Sequence, residues 1–293
     1  MAMMAGLEPG VRRIVARNPS PMTGTGTCTY VVGTGRVAVI DPGPADPAHM
    51  QALLGGLGRG ERVEAIFVTH AHLDHSPGAR LLAEVTGAAV HAFGPADAGR
   101  SPVMARLAAQ GLAGGGEGVD AAFRPDVLLA DGAVVSGPDW SLRALHTPGH
   151  FGNHLGFAFG DAIFTGDLVM GWSSTLISPP DGDLGDYMRS LDRLAAEGAR
   201  RFFPGHGDPV ETPAERLAAL AGHRRARSRQ IMEVLARGPA TVMSIVRSLY
   251  TDLPEDLHPV AARNVFAHLV EMHSKNEISQ ASELSPGAIF FRR

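Results

Sequence analysis

Only one cysteine, Cys28, occurs in the 293 residues. That excludes an internal disulfide and favours a reducing compartment. No apolar run approaches the roughly 20 residues that a membrane-spanning helix needs. The opening stretch, MAMMAGLEPGVRRIV, has no basic segment followed by a long apolar one, as a secretory signal would. The expectation is a cytoplasmic protein without a membrane partner. Charge of one sign is also scarce: a net −4 is too small to single out nucleic acid or a membrane surface.

What remains is ordinary for a globular chain: 44% apolar, 19% charged and rich in glycine, with 36 residues. The length suits one large domain and one small one, and a core of that size forms without disulfides or metal.

For about two hundred residues, short β-like runs alternate with helical stretches. TYVVG (29–33) and RVAVID (36–41) predict a hairpin across Gly-Thr-Gly. A helix is expected over about 46–57, then a buried strand at VEAIFVT (63–69), a helix opened by Pro77 over 77–86, and a strand at 88–93. Residues 94–125 read as a helix followed by a loose loop. Strands are expected at 126–130, 133–136, 141–146, 155–160, 162–166 and 201–205. DYMRSLDRLAAE (186–197) puts Tyr187, Leu191 and Leu194 on one helical face. After Thr212 the texture changes: a long helix to about 237, helices at 240–250 and 259–273, and a hairpin from NEISQ (276–280) and GAIFFRR (287–293). That order is the one expected of a small winged-helix module, giving domains at 1–212 and 213–293.

The chemistry is concentrated in VTHAHLDHSPG (68–78). His70, His72, Asp74 and His75 fall within six positions, just beyond a strand end. Imidazole and carboxylate are the donors that zinc prefers where thiolates are absent. Four donors are more than one tetrahedral ion uses with an open position, so two cations are the natural reading. Three later stretches, HTPGH (146–150), FTGD (164–167) and FPGHG (203–207), each end a β-run in a glycine-bearing turn with a His or Asp at its tip.

HAHLDH, TPGH, TGD and PGHG, in this order, resemble the metallo-β-lactamase fold superfamily. The resemblance implies an α/β (α+β) fold, a four-layer αββα sandwich with the metal site along one edge of the sheets. It also implies His70, His72 and His150 on a first metal, Asp74, His75 and His206 on a second, and Asp167 bridging both. Relatives with redox-active di-iron have glutamate where His72 stands. NPSPMTGTGTCTYVVG (18–33), HTPGHFGNH (146–154) and PPDGDLGDYMRSLDRL (179–194) are further similar to the β-lactamase-like protein 2 family, which also has a C-terminal winged helix. That family usually has asparagine where Cys28 stands.

The expected activity is hydrolysis by a metal-bound hydroxide, with two Zn2+ ions preferred over Fe or Mn. Asp74 is suited to orient the attacking water and take its proton. His154 is expected either to donate to the developing oxyanion or to pack behind the ligands. Asp41, in VIDPG, is expected to fix a ligand imidazole, or else to be a plain turn residue. His146 reads as structural and Cys28 as a small buried side chain.

The donors do not choose among thioester, lactone, β-lactam and phosphodiester. A small-molecule or acyl-carrier ester or thioester is preferred. Residues 213–293 hold eleven Arg and Lys against eight Asp and Glu, leaving the rest of the chain seven charges negative, which disfavours RNA. The alternatives are a single-strand endoribonuclease, a persulfide dioxygenase with one iron, and a DNA-binding regulator. HRRARSR (223–229) reads as a basic or a solvated helix face. In a DNA reader, helix 259–273 would offer only Arg263 and Asn264 to bases. Its apolar face, Val265, Phe266, Leu269 and Met272, is expected instead to pack on the first domain or on a second subunit in a homodimer.

Overall fold

A computed structural model describes residues 3–293 of the chain. It begins with a hairpin, β1 (Ala5–Glu8) and β2 (Val11–Val15), that the sequence pattern had not announced. Arg12 and Arg13 break the apolar alternation there. Their guanidinium groups run outward, Arg12 to Glu61 and Arg13 to the Gly207 carbonyl, while Val11 and Ile14 are buried.

The predicted hairpin of β3 (Cys28–Val32) and β4 (Arg36–Ile40) follows. β5 (Arg62–Phe67), β6 (Ala89–Ala92) and β7 (Val127–Leu128) add in parallel, so seven strands lie in chain order. Parallel pairing needs crossover connections. Helices α1 (Pro47–Gly55) and α2 (Pro77–Thr86) supply the first two, starting on Pro47 and Pro77. Leu53 and Leu82 cover Val39, Ile66 and Val68 on the outer face. Helix α3 (Pro102–Ala109) precedes β7.

The second sheet runs β12-β11-β10-β9-β8, from β8 (Val134–Ser136), β9 (Ser141–His146), β10 (Leu155–Phe159), β11 (Ala162–Gly166) and β12 (Arg201–Pro204). Between the sheets lie Tyr30, Phe67, Trp140, Phe157, Phe164 and Phe203. Truncating one such phenylalanine to alanine costs about 3–5 kcal/mol. On the far face, α4 (Leu184–Glu197) buries Tyr187, Leu191 and Leu194 as its spacing predicts, beside Leu217 and Leu220 of α5 (Pro213–Leu235). The layers are αββα.

Helix α5 serves two cores. Its first half completes the sandwich, whereas Ile231 and Leu235 join a third core with β13 (Ala240–Thr241), α6 (Val242–Leu249), α7 (His258–Ser274), β14 (Ile278–Gln280) and β15 (Ile289–Arg292). The expected terminal hairpin gains β13 as a third strand, in the order β13-β15-β14.

Val265, Phe266, Leu269 and Met272 do not pack on the first domain alone: they fill the module's own core, and Met104 and Leu107 of α3, from the first domain, join them there. The basic run 223–229 is not uniformly solvated either: Arg224 is buried, and Arg224 and Arg227 lie over the rings of Tyr187 and Tyr250.

Among the described residues no helix is long and apolar enough to cross a membrane.

Candidate metal centre

β5, β9, β11 and β12 release their chains at one edge of the sandwich. There His70, His72, His150 and Asp167 bring one donor atom each within 4.8 Å of one another, and so do Asp74, His75 and His206. The seven side chains picked out by the sequence therefore converge as two adjoining nests, all of them buried.

The hydrogen-bond pattern of the rings shows what the nests are built to receive. His70 Nδ1 donates to Thr69 Oγ1 (2.9 Å), and the Thr69 hydroxyl donates to Asp41 (2.7 Å). His75 Nδ1 donates to Asp41 Oδ2 (2.9 Å), His150 Nδ1 to the Leu176 carbonyl (2.9 Å) and His206 Nδ1 to the Gly26 carbonyl (3.1 Å). An imidazole that donates through one nitrogen offers a lone pair on the other. Those inward nitrogens face each other: His70 Nε2 and His150 Nε2 stand 2.9 and 3.1 Å from His72 Nδ1, and His75 Nε2 stands 3.3 Å from His206 Nε2. His72 Nδ1 could donate to only one of the two lone pairs that face it, whereas a cation among the three nitrogens would serve them all. The carboxylates agree, since Asp74 Oδ1 and Asp167 Oδ1 are buried without a hydrogen-bond partner, His75 Nε2 standing 3.5 Å from Asp167 Oδ1, a costly state for a carboxylate oxygen. Nitrogen and oxygen donors without thiolate fit a divalent cation such as zinc in each nest.

Protonation follows the same division. Burial, with neighbouring imidazoles, holds His70 well below the usual histidine range and His72 at about 3, and burial lowers His150. These three are neutral and ready to ligate. In the second nest burial works against charge, but carboxylates outweigh it: Asp74, Asp167 and Asp41 raise His75, while Asp167 and Asp74 lift His206 to about 10. Asp74 and Asp167 are in turn held below the carboxylate range by those rings, despite burial. Without a cation, protons on His75 and His206 neutralise the carboxylates. A cation would take their place.

Backbone shape allows the approach. A Cβ on Gly205 would stand 2.2 Å from Asp167 Oδ1 and 2.8 Å from the His75 ring, so no side chain fits between them.

Asp41 accepts from His75 and reaches His70 through Thr69. His154 is different. It is 0% exposed, its ring lies 5.3 Å behind that of His70, and it does not line the open cleft. Its Nδ1 meets Thr147 Oγ1 at 3.0 Å, and its Nε2 is buried without a hydrogen-bond partner. His146 stacks on Phe93 and bonds the Gly152 carbonyl, a structural role. Cys28 is buried beside the Gly207 carbonyl, where burial pushes its thiol up, away from reactivity.

Several participants carry no signal in the sequence. Thr27 donates to Asp74 Oδ2 (2.9 Å) and Thr69 relays Asp41 to His70. The supposedly loose stretch after α3 is laid across the motif, with Leu73 N–H donating to the Gly118 carbonyl and Val119 bridging to His72. A cleft of about 170 Å³ opens from the nests, walled by Met22, Glu117, Met170, Trp172 and Leu176, and by Val260 and Asn264 of α7. The C-terminal module thus forms part of the mouth.

A family model described as "Metallo-beta-lactamase superfamily" matches residues 22–206, and one described as "Beta-lactamase associated winged helix domain" matches residues 241–283. A β-lactamase-like protein 2 homolog of Drosophila melanogaster is 31% identical over 290 residues, spanning 94% of this chain and 93% of that protein. An atrochrysone carboxyl ACP thioesterase of Aspergillus fumigatus is 28% identical, over 86% of this chain and 76% of its own. The crystal structure of a metallo-β-lactamase family protein from Thermus thermophilus matches 98% of this chain and 100% of that one, with a TM-score of 0.76 at 25% identity.

Proposed function

The chain belongs to the metallo-β-lactamase superfamily and carries the associated winged helix domain, and on that premise we propose that it hydrolyses ester or thioester bonds with two divalent cations, zinc by preference. The observation that carries this reading is the set of inward imidazole nitrogens backed by outward hydrogen bonds, beside two buried carboxylate oxygens without hydrogen-bond partners.

In this reading His70, His72 and His150 hold the first cation, and Asp74, His75 and His206 the second. Asp167 lies between the two sets, its carboxylate 3.7 Å from His150 and 3.2 Å from His206, and would serve either cation. Two cations held there would supply a water ionised near neutral pH and would polarise the substrate's carbonyl oxygen. Thr27 fixes one oxygen of Asp74 and leaves the other free of protein partners. That carboxylate takes the proton which the attacking water gives up. We divide the chain after Thr212, with catalysis in 1–212 and a wall of the cleft supplied by 213–293.

Charge at the mouth bears on the substrate. The cleft wall carries Glu117 and no Arg or Lys. An RNA strand presents a phosphate at every nucleotide and calls for basic neighbours. Met22, Met170, Trp172 and Leu176 instead suit an apolar acyl group. A relative named for thioesterase activity on an acyl carrier supports the same class. The complete second nest disfavours a single-iron dioxygenase. Arg263 and Asn264 are engaged within the chain, Arg263 with the Ala113 carbonyl and Asn264 with Ile177 N–H, which disfavours a DNA-reading helix.

The test compares acyl thioesters, lactones, a β-lactam and single-stranded RNA on one zinc-loaded preparation. Thioester or ester turnover that disappears in His72→Ala is expected. RNA cleavage as the dominant activity, or activity untouched in His72→Ala, would overturn the reading.

A further inference from the structure

Arg224, on α5, is 3% exposed, and no carboxylate partners it. A guanidinium is rarely buried without an acid, so something must compensate it. Its partners are oxygens of neutral groups and an aromatic ring. One terminal nitrogen donates to the Thr175 carbonyl, another to Asn264 Oδ1 at 3.3 Å, and the group lies 5.3 Å from the Tyr187 ring centre. Asn264 Oδ1 also accepts from Ile177 N–H at 3.2 Å. Arg224 and Asn264 thus grip both ends of the segment 175–177. That segment supplies every partner of the outward His150 nitrogen: the Leu176 carbonyl at 2.9 Å and Thr175 Oγ1 at 3.0 Å.

We propose that Arg224 and Asn264, contributed by the C-terminal part of the chain, are positioning residues for the first metal nest, acting on the His150 ring through the strap 175–177. The inference rests on the reading of His150 as a metal ligand. The guanidinium fork matters because it spans two acceptors on two elements, α7 and the strap, which a point charge does not. The winged helix then does more than wall the cleft: it sets the direction of one ligand's lone pair. Residues that orient a metal ligand from behind typically affect affinity by about 10–100-fold.

Cobalt(II) titration of the metal-free full chain, followed by its visible absorption, tests this. Wild type should bind in two steps, one of which His150→Ala removes. In Arg224→Met that same step should weaken by about tenfold or more with a changed band shape, while the other step stays unchanged. Asn264→Ala, which changes a half-buried position and removes no charge, should shift the same step in the same direction and serves if Arg224→Met does not fold. Arg224→Lys should fall between. Two unchanged steps in both folded variants would overturn the proposal even if the unfolding temperature drops, because a purely structural clamp predicts that pattern. A wild type that binds no cobalt would instead overturn the ligand reading on which the proposal stands.

Discussion

The Asp41 carboxylate accepts both the backbone N–H and the hydroxyl of Thr69, at 2.7 Å each. Because it also accepts from His75, and Thr69 from His70, a single buried acid orients one ring in each nest. Asp41 has a positive φ of 49°, a conformation that asparagine tolerates. Asp41→Asn should therefore fold, yet bind cations about 10–100-fold more weakly in both nests. Competition against a chromogenic chelator measures this, and unchanged affinity at both steps would remove Asp41 from the centre.

Metal uptake should be coupled to pH unequally. His70, His72 and His150 lie below the usual histidine range, so near neutral pH they hold no proton for a cation to displace. His75 is raised, and His206 reaches about 10, so both rings carry a proton in the metal-free chain at neutral pH. A cation entering the second nest must expel those protons, and its affinity should rise with pH up to about 10. Affinity for the first nest should be nearly flat over the same range. Calorimetry in buffers of different ionisation enthalpy counts the protons released at each step. Equal release at both steps contradicts this assignment.

Gly205→Ala is expected to push the Asp167 carboxylate aside, since a Cβ there would lie 2.2 Å from Oδ1. Loss of a shared ligand should lower both metal content and turnover by about tenfold or more. Elemental analysis of the folded variant checks this. Full metal content would show that the backbone gives way instead.

Trp172 stands 48% exposed at the cleft mouth, packed on Gly24 and Gly207. It is suited to lie against a planar or apolar acyl group. An aromatic contact of this kind is worth about 0.5–1.5 kcal/mol, so Trp172→Ala should raise KM for aromatic acyl thioesters roughly two- to tenfold and leave kcat unchanged. A fall in kcat alone would place the ring elsewhere in the cycle.

The centre was legible in the sequence to a degree that its surroundings were not. His70, His72, Asp74 and His75 are contiguous, and the other three donors sit in glycine-bearing turns after apolar runs, so both residue type and local shape marked them. Thr27, Thr69 and Thr175 act through single hydroxyls, and nothing in a lone threonine distinguishes a relay from a strand residue. The place of His154 was not legible, because its four-residue distance from His150 does not show that the chain turns back through 151–153 and buries the ring behind that of His70. The β1–β2 hairpin was hidden by arginines that extend from a half-buried strand to distant acceptors. The seat of the winged helix was hidden for a related reason: the apolar face of α7 is shared between its own module and Met104 and Leu107 of α3, and α7 meets the cleft through Val260 and Asn264. Periodicity reveals that a helix has a buried face, not which neighbour covers it.

Elemental analysis of the purified, active chain, before and after a strong chelator, bears most directly on the paired nests. About two divalent cations per chain are expected, lost together with thioester turnover and restored together with it on adding zinc. Undiminished turnover in protein stripped of metal contradicts the account.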